Sequence, residues 1–166
     1  PRRFGVMDLI RPGESHKLLE HLGPEPLGDN WSGAQLHESL RNRNISIKSA
    51  LLNQHIVVGI GNIYASEILF RSGISPKRLA KNISLLMAKE IYLQTQHVLL
   101  TAIEAGGSTL KDGQFKQLDG DLGYFPHEFA VYDREGEGCA NPNCVKLVKK
   151  LVQSGRSTFY CSGCQR

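Results

Sequence analysis

The sequence has no cysteine before residue 139, no Asp or Glu after residue 138, and no apolar run near the roughly 20 residues a membrane helix requires. Its opening, Pro1-Arg2-Arg3-Phe4-Gly5, has no apolar h-region of the secretory kind, so a cytoplasmic location is expected. The six histidines (His16, His21, His37, His55, His97, His127) show no His-Glu-x-x-His spacing, and no Ser-His-Asp arrangement or carboxylate pair stands out. Nothing here points to a metalloprotease or a serine hydrolase. There is no internal repeat and no low-complexity tract, which excludes a solenoid. What remains, at 166 residues with 40% apolar and 22% charged residues, is a soluble globular chain: one ordinary domain, or a helical core with a small appended module.

Positive charge is unevenly placed. The net charge is +4 and the pI about 9.0. Residues 139–166 hold five basic side chains (Lys146, Lys149, Lys150, Arg156, Arg166) and no acid, leaving 15 basic against 16 acidic residues before them. The basicity is therefore a C-terminal property that suits a polyanion, although a solvated basic face has the same composition.

The same 28 residues hold all four cysteines: Cys139 and Cys144 with four residues between, a gap of sixteen, then Cys161 and Cys164 with two between. Two close pairs on turns can bring four thiolates around one zinc ion, and four sulfurs leave it no open coordination position. The expected role is structural: one Zn²⁺, required because so short a segment cannot bury enough core alone. Zinc with four thiolates still leaves the segment at about plus three, favourable to phosphate. Strand formers at 145–152 and 157–160 with Ser154-Gly155 between them predict a β-hairpin, hence a zinc ribbon with Arg156 beside its tip. Two disulfides are the alternative, disfavoured by a cytoplasmic setting.

Before residue 108 the periodicity is helical. Helices are expected over about 32–42, 47–53, from Asn62 to a stop at Gly73, and over 84–105 with Ser84 as N-cap and Gly106-Gly107 as terminator. Ile91, Val98, Leu99 and Ile103 are expected on the buried face of the last. Residues 1–10 read as a short strand without a partner, and 22–28, rich in proline and glycine, as a linker. Residues 108–124 are polar and glycine-containing, of the kind that forms binding loops. In residues 57–73, Gly59 and Gly61 permit unusual backbone angles and Asn62 stands as N-cap, so that turn amides and the helix dipole face outward as an anion site.

Five stretches, Pro1-Arg2-Arg3-Phe4-Gly5, Leu22-Gly23-Pro24-Glu25-Pro26-Leu27, residues 57–66, Gly106-Gly107-Ser108-Thr109-Leu110-Lys111-Asp112 and Gly155-Arg156-Ser157-Thr158-Phe159-Tyr160-Cys161, together resemble formamidopyrimidine-DNA glycosylase. The likeness covers essentially the whole chain but only the later part of that family's protein. It implies a mainly α fold, a helix two-turn helix domain followed by a small β-hairpin zinc ribbon with four cysteine ligands. The expected layout is 1–24 as the end of a first domain and its linker, 25–129 as the DNA-binding domain with base-capping loop 108–124, and 130–166 as the ribbon.

The resemblance also implies roles. Gly61 and Asn62 belong to the turn that grips a backbone phosphate, and Lys48 and Arg43 match basic phosphate contacts. Arg2 and Phe4 match residues that fill the space left by a flipped nucleotide, arginine on the orphaned cytosine and phenylalanine in the stack. Arg156 matches the ribbon arginine at the lesion, tied to the later elimination steps. One departure is the four-residue gap between Cys139 and Cys144, where many members have two. The family's nucleophile is an N-terminal proline amine on its first domain, and Pro1 matches the Asp-Pro-Arg-Arg-Phe-Gly motif at that domain's end instead. The expectation is the DNA-binding C-terminal half of a bifunctional glycosylase and abasic-site lyase of base excision repair, inactive without the first domain. Its expected partner is double-stranded DNA with oxidised purines or abasic sites, and the chain is expected to be a nucleoid-associated bacterial monomer. Alternatives are a stand-alone non-catalytic DNA-binding module, an endonuclease VIII-type glycosylase, and a zinc ribbon that binds protein.

Overall fold

The computed structural model describes residues 8–14, 16, 17, 19–107 and 129–166. Four α-helices, α1 (Gly33–Leu40), α2 (Ile47–Leu51), α3 (Asn62–Arg71) and α4 (Leu85–Glu104), precede an antiparallel hairpin of β1 (Val148–Gln153) and β2 (Arg156–Cys161). The described residues are thus mostly helical with one small two-stranded sheet. No helix of the described residues is long and apolar enough to cross a membrane.

Serine hydroxyls set three of the helix starts. Ser32, Ser46 and Ser84 accept the N–H of Gln35, Ser49 and Met87, each satisfying a donor that the first turn leaves open. The start of α3 differs from expectation. Gly61 is its N-cap and offers no side chain, so Asn62 is the first helical residue and its amide is free to reach outward. Gly59 has a φ of +83°, as expected of glycine, whereas Gly61 at −93° has a backbone any residue could adopt.

One apolar cluster joins the four helices, with Trp31, Leu36 and Leu40 from the α1 region, Ile47 and Leu51 from α2, Ile68 and Leu69 from α3, and Ile91 and Val98 from α4. Close approach of α1 to α4 depends on Gly33, where a Cβ would lie 2.6 Å from Lys89 Cα. The buried face of α4 is Ala88, Ile91, Thr95, Val98 and Ala102. Leu99 is only half-buried and Ile103 is 64% exposed, against expectation. Steps of four, three and four residues from Ile91 lead to Ala102, and Ile103 lies about 100° further round the helix.

The proline and glycine stretch is packed rather than a free tether. Gly23 N–H donates to Gln54 O at 2.7 Å, Val58 N–H donates to Pro24 O at 3.1 Å, and Gln96 reaches Pro26 O. The expected strand at 1–10 is absent from residues 8–10, and residues 1–7 lie outside the described residues. The hairpin turn forms as its sequence demands, with Ser154 at φ +49° and Gly155 at +72°, the twist that suits two-residue hairpins.

A second, smaller cluster of Val131, Val148 and Phe159, with Phe70 and Tyr132 against it, seats the hairpin on α3. Backbone pairs add to this seat: Arg166 N–H donates to Gly73 O at 3.0 Å and Ser75 N–H to Arg166 O at 3.1 Å. The Gln165 amide accepts from Cys161 N–H at 2.8 Å and donates to Ile74 O at 3.0 Å.

Candidate functional site

The seat of the hairpin brings together residues far apart in sequence. Lys48, on α2, is 1% exposed. Its Nζ donates to Asn62 Oδ1 at 2.7 Å, Ser157 O at 2.9 Å and Thr158 Oγ1 at 2.8 Å. Asn62 Nδ2 donates to the same Ser157 O at 2.9 Å. The three ammonium donors are thereby used by the protein itself. No carboxylate among the described residues pairs with Lys48 or Arg156. Burial, and then the Arg156 guanidinium beside it, hold the Lys48 pKa down at about 8. A buried ammonium with neutral partners and a like charge beside it makes a strongly positive spot with no counter-charge among the described residues.

Donors surround that spot. The N–H groups of Gly61, Asn62 and Ile63 have no acceptor among the described residues, and they stand at the positive end of the ten-residue helix α3. A Cβ on Gly61 would meet nothing within 4 Å, so the surface there is open. Arg156 is exposed at the start of β2, beside the hairpin turn, and Ser154 Oγ lies 3.1 Å from Ser49 Oγ of α2. This is the constellation expected to hold an oxyanion: backbone amides, a side-chain amide, a buried cation and an exposed arginine.

The wider surface is poor in acid. Between residues 39 and 89 there are eight basic side chains and one acid, Glu67, which is fully buried. Arg43 is exposed on that stretch, with Nε donating to Ser39 O at 2.6 Å. Sequence reasoning singled out Arg43, Lys48, Gly61, Asn62 and Arg156; the structure brings the last four to one place and puts Arg43 in the loop after α1. Arg2, Phe4 and the loop 108–124 lie outside the described residues. Ser157 and Thr158, whose oxygens take two of the Lys48 donors, were missed; the acid-poor run of 39–89 was a signal for the surface, but nothing marks those two partners.

The four cysteines form a second centre. Their sulfurs all lie within 4.8 Å of one another, with Cys139 to Cys164 and Cys144 to Cys161 each at 3.6 Å. A tetrahedron with metal–sulfur bonds of about 2.3 Å has edges of about 3.8 Å, whereas a disulfide is about 2.0 Å, so the arrangement fits a shared cation and no bridge. Asn141 supports the sulfurs, its N–H 3.5 Å from Cys139 Sγ and its Nδ2 3.5 Å from Cys164 Sγ. With no cation, burial pushes the Cys139 thiol up to about 12 and raises Cys164. At Cys161 burial also acts upward, but N–H groups of Cys164 and Gly163 draw it down to about 7. Metal binding must therefore displace protons from Cys139 and Cys164 at least.

The family model for the formamidopyrimidine-DNA glycosylase H2TH domain matches residues 22–114. The curated formamidopyrimidine-DNA glycosylase of Ruegeria pomeroyi is 52% identical over 168 residues, covering 100% of this chain and 59% of its own length. That of Cereibacter sphaeroides is 53% identical over 167 residues, covering 99% and 58%. The chain thus spans about three-fifths of the length of these relatives. Among solved structures, MutM (Fpg) from Thermus thermophilus superposes with a TM-score of 0.83 at 41% identity, over 89% of this chain and 55% of that one. Lactococcus lactis Fpg in complex with abasic-site DNA gives a TM-score of 0.80 at 31% identity, over 90% and 53%.

Proposed function

Because this chain belongs to the formamidopyrimidine-DNA glycosylase H2TH family, we propose that it grips damaged duplex DNA for a bifunctional glycosylase and abasic-site lyase of base excision repair. The observation that carries the reading is the Lys48, Asn62 and Arg156 cluster: a buried ammonium that no carboxylate among the described residues pairs with, beside helix-end amides with no acceptor among those residues and an exposed guanidinium. A DNA backbone phosphate supplies the charge this site lacks and the acceptors its amides need.

In this reading the phosphate lies against the Gly61, Asn62 and Ile63 amides. Lys48 holds the hairpin to α2 and α3 and adds charge from behind, and Arg156 closes on the phosphate from the front. Arg43 meets a neighbouring phosphate. Arg2 and Phe4 fill the duplex at the flipped nucleotide, and 108–124 caps the extruded base. The domain boundaries belong to the same proposal: 25–129 as the DNA-binding domain and 130–166 as the ribbon, with 1–24 before them. The ribbon metal is Zn²⁺, held by Cys139, Cys144, Cys161 and Cys164; four thiolates give it a structural role and no part in the chemistry. In the whole protein an amine outside these groups would attack the sugar carbon, with oxidised purines as the substrate bases.

Likeness to solved lesion complexes supports the partner: Lactococcus lactis Fpg has been solved with DNA containing an abasic site, a mutant of it with Fapy-dG DNA, and a MutM with carbocyclic 8-oxo-G DNA. The test is borohydride trapping of the 166-residue chain on an 8-oxoguanine duplex beside a mobility shift on an abasic-site duplex. A shift without a covalent adduct is the expected result. An adduct would place a nucleophilic amine within these residues, and loss of the shift would reject the grip.

A further inference from the structure

Glu67 is the only fully buried acid among the described residues, and it does not serve the phosphate site directly. Its Oε1 accepts N–H groups from Val131 at 3.0 Å and Tyr132 at 2.9 Å, and its Oε2 accepts Ala130 N–H at 2.9 Å and Arg71 Nη1 at 2.5 Å. Three consecutive backbone amides thus converge on one carboxylate, and the arginine balances its charge. An amide side chain cannot reproduce this, since replacing one oxygen by NH₂ points donors at donors.

What Glu67 holds is the root of the hairpin. Val131, fixed by its N–H, packs in the cluster with Val148 and Phe159, and the Tyr132 ring meets Phe159 edge-on with centroids 5.1 Å apart. Phe159 stands three residues along β2 from Arg156. At the other end of that strand Asn62 and Lys48 hold Ser157 O. Asn62 and Glu67 lie on the same helix, about one and a half turns apart. The hairpin is therefore held to α3 itself through Asn62 and Glu67, in addition to the contacts of Gln165 and Arg166 with residues 73–75 just after that helix. Of these, the Glu67 clamp acts at the root of the hairpin, through 130–132, and so bears on how the ribbon is rotated on the helix.

We propose that Glu67 is a positioning residue for the phosphate grip: by clamping 130–132 it sets the rotation of the ribbon on α3 and with it the place of the Arg156 guanidinium over Lys48 and the free α3 amides. The inference rests on the reading of that cluster as a DNA-phosphate site. A purely structural role would stabilise the ribbon without bearing on Arg156, and the two are separable by experiment.

The test uses the metal-loaded 166-residue chain and a double-mutant cycle of Glu67→Gln with Arg156→Ala, measured as affinity for an abasic-site duplex. Glu67→Gln is expected to weaken binding about fivefold when Arg156 is present and less than about 1.5-fold when it is absent. Backbone amide shifts of the same variants, taken without DNA, should move at residues 155–157 as well as at 130–132. Equal losses in both backgrounds, or shifts confined to 130–132, overturn the proposal. Should Glu67→Gln fail to fold, Arg71→Gln strips one donor from the same carboxylate and carries the same cycle with the same criteria. If the unsubstituted chain binds no duplex, the DNA reading fails instead, while the amide shifts still decide the role of Glu67.

Discussion

Raising the pH should loosen the grip on DNA, and the amount follows from Lys48. In the free chain its ammonium titrates near pH 8 because burial and Arg156 both disfavour the charge. A phosphate docked beside it favours the charged form and returns the pKa toward the ordinary 10.5. Binding then takes up a proton above pH 8, so affinity falls as pH rises. With a bound-state value near the ordinary one, the dissociation constant is expected to increase by about an order of magnitude between pH 7 and 9.5. Stability of the free chain moves the other way. The folded state binds fewer protons than the unfolded one between pH 8 and 10.5, so a cost of about 3 kcal/mol, fully present below pH 8, is relieved across that window. Fluorescence anisotropy of a labelled abasic-site duplex at constant ionic strength, every half unit from pH 7 to 9.5, measures the first effect. Lys48→Arg, which stays charged throughout, should flatten the curve. A flat curve in the unsubstituted chain, or one that survives Lys48→Arg, would refute the assignment of the buried ammonium to the phosphate site.

Asn62→Ala removes both an acceptor of Lys48 and a donor to Ser157 O, and should weaken binding to every duplex about tenfold with little change in salt slope; undiminished affinity at matched salt rejects the contact. Arg156→Ala should lower the salt slope by about one, and an unchanged slope would mean that this guanidinium does not reach a phosphate. Chelation of the ribbon metal should abolish hydrogen-exchange protection in 130–166 while α4 keeps its helical signal, and a ribbon that stays protected without metal contradicts a structural role. Gly33→Ala drives a Cβ to 2.6 Å from Lys89 Cα and should destabilise the helical core by about 2 kcal/mol in urea unfolding; an unshifted midpoint would mean that α1 and α4 can part freely.

Much of this was legible in the sequence because it is local. Ser84 and Gly106-Gly107 bracket α4, and the cysteine spacing alone leads to four clustered sulfurs, since caps and knuckles are decided within a few residues. The errors are local as well. Asn62 is a good capping residue by type, yet Gly61 takes that position and frees the amide for Lys48 and Ser157. Leu99 and Ile103 fit the helical period of α4 but miss the phase set by Gly33 and Ala102, which only packing against α1 and α3 decides. What could not be read was partnership at a distance. Glu67 resembles any acid in an amphipathic helix until residues 130–132 are laid against it, and a lysine at residue 48 gives no sign of being buried.

The contacts that seat the hairpin on the helices close very long loops, 63 to 65 residues for the Glu67 clamp and 109 and 110 for Lys48. Such contacts are expected to form late, after the helices have found one another, because the chain entropy lost in closing them is recovered only when the strands are in place. Lys48 therefore has two chemical lives. Until the ribbon docks it is an ordinary solvated amine, open to acylating reagents; afterwards it is sealed. Its modification during refolding is expected to time the docking of the ribbon.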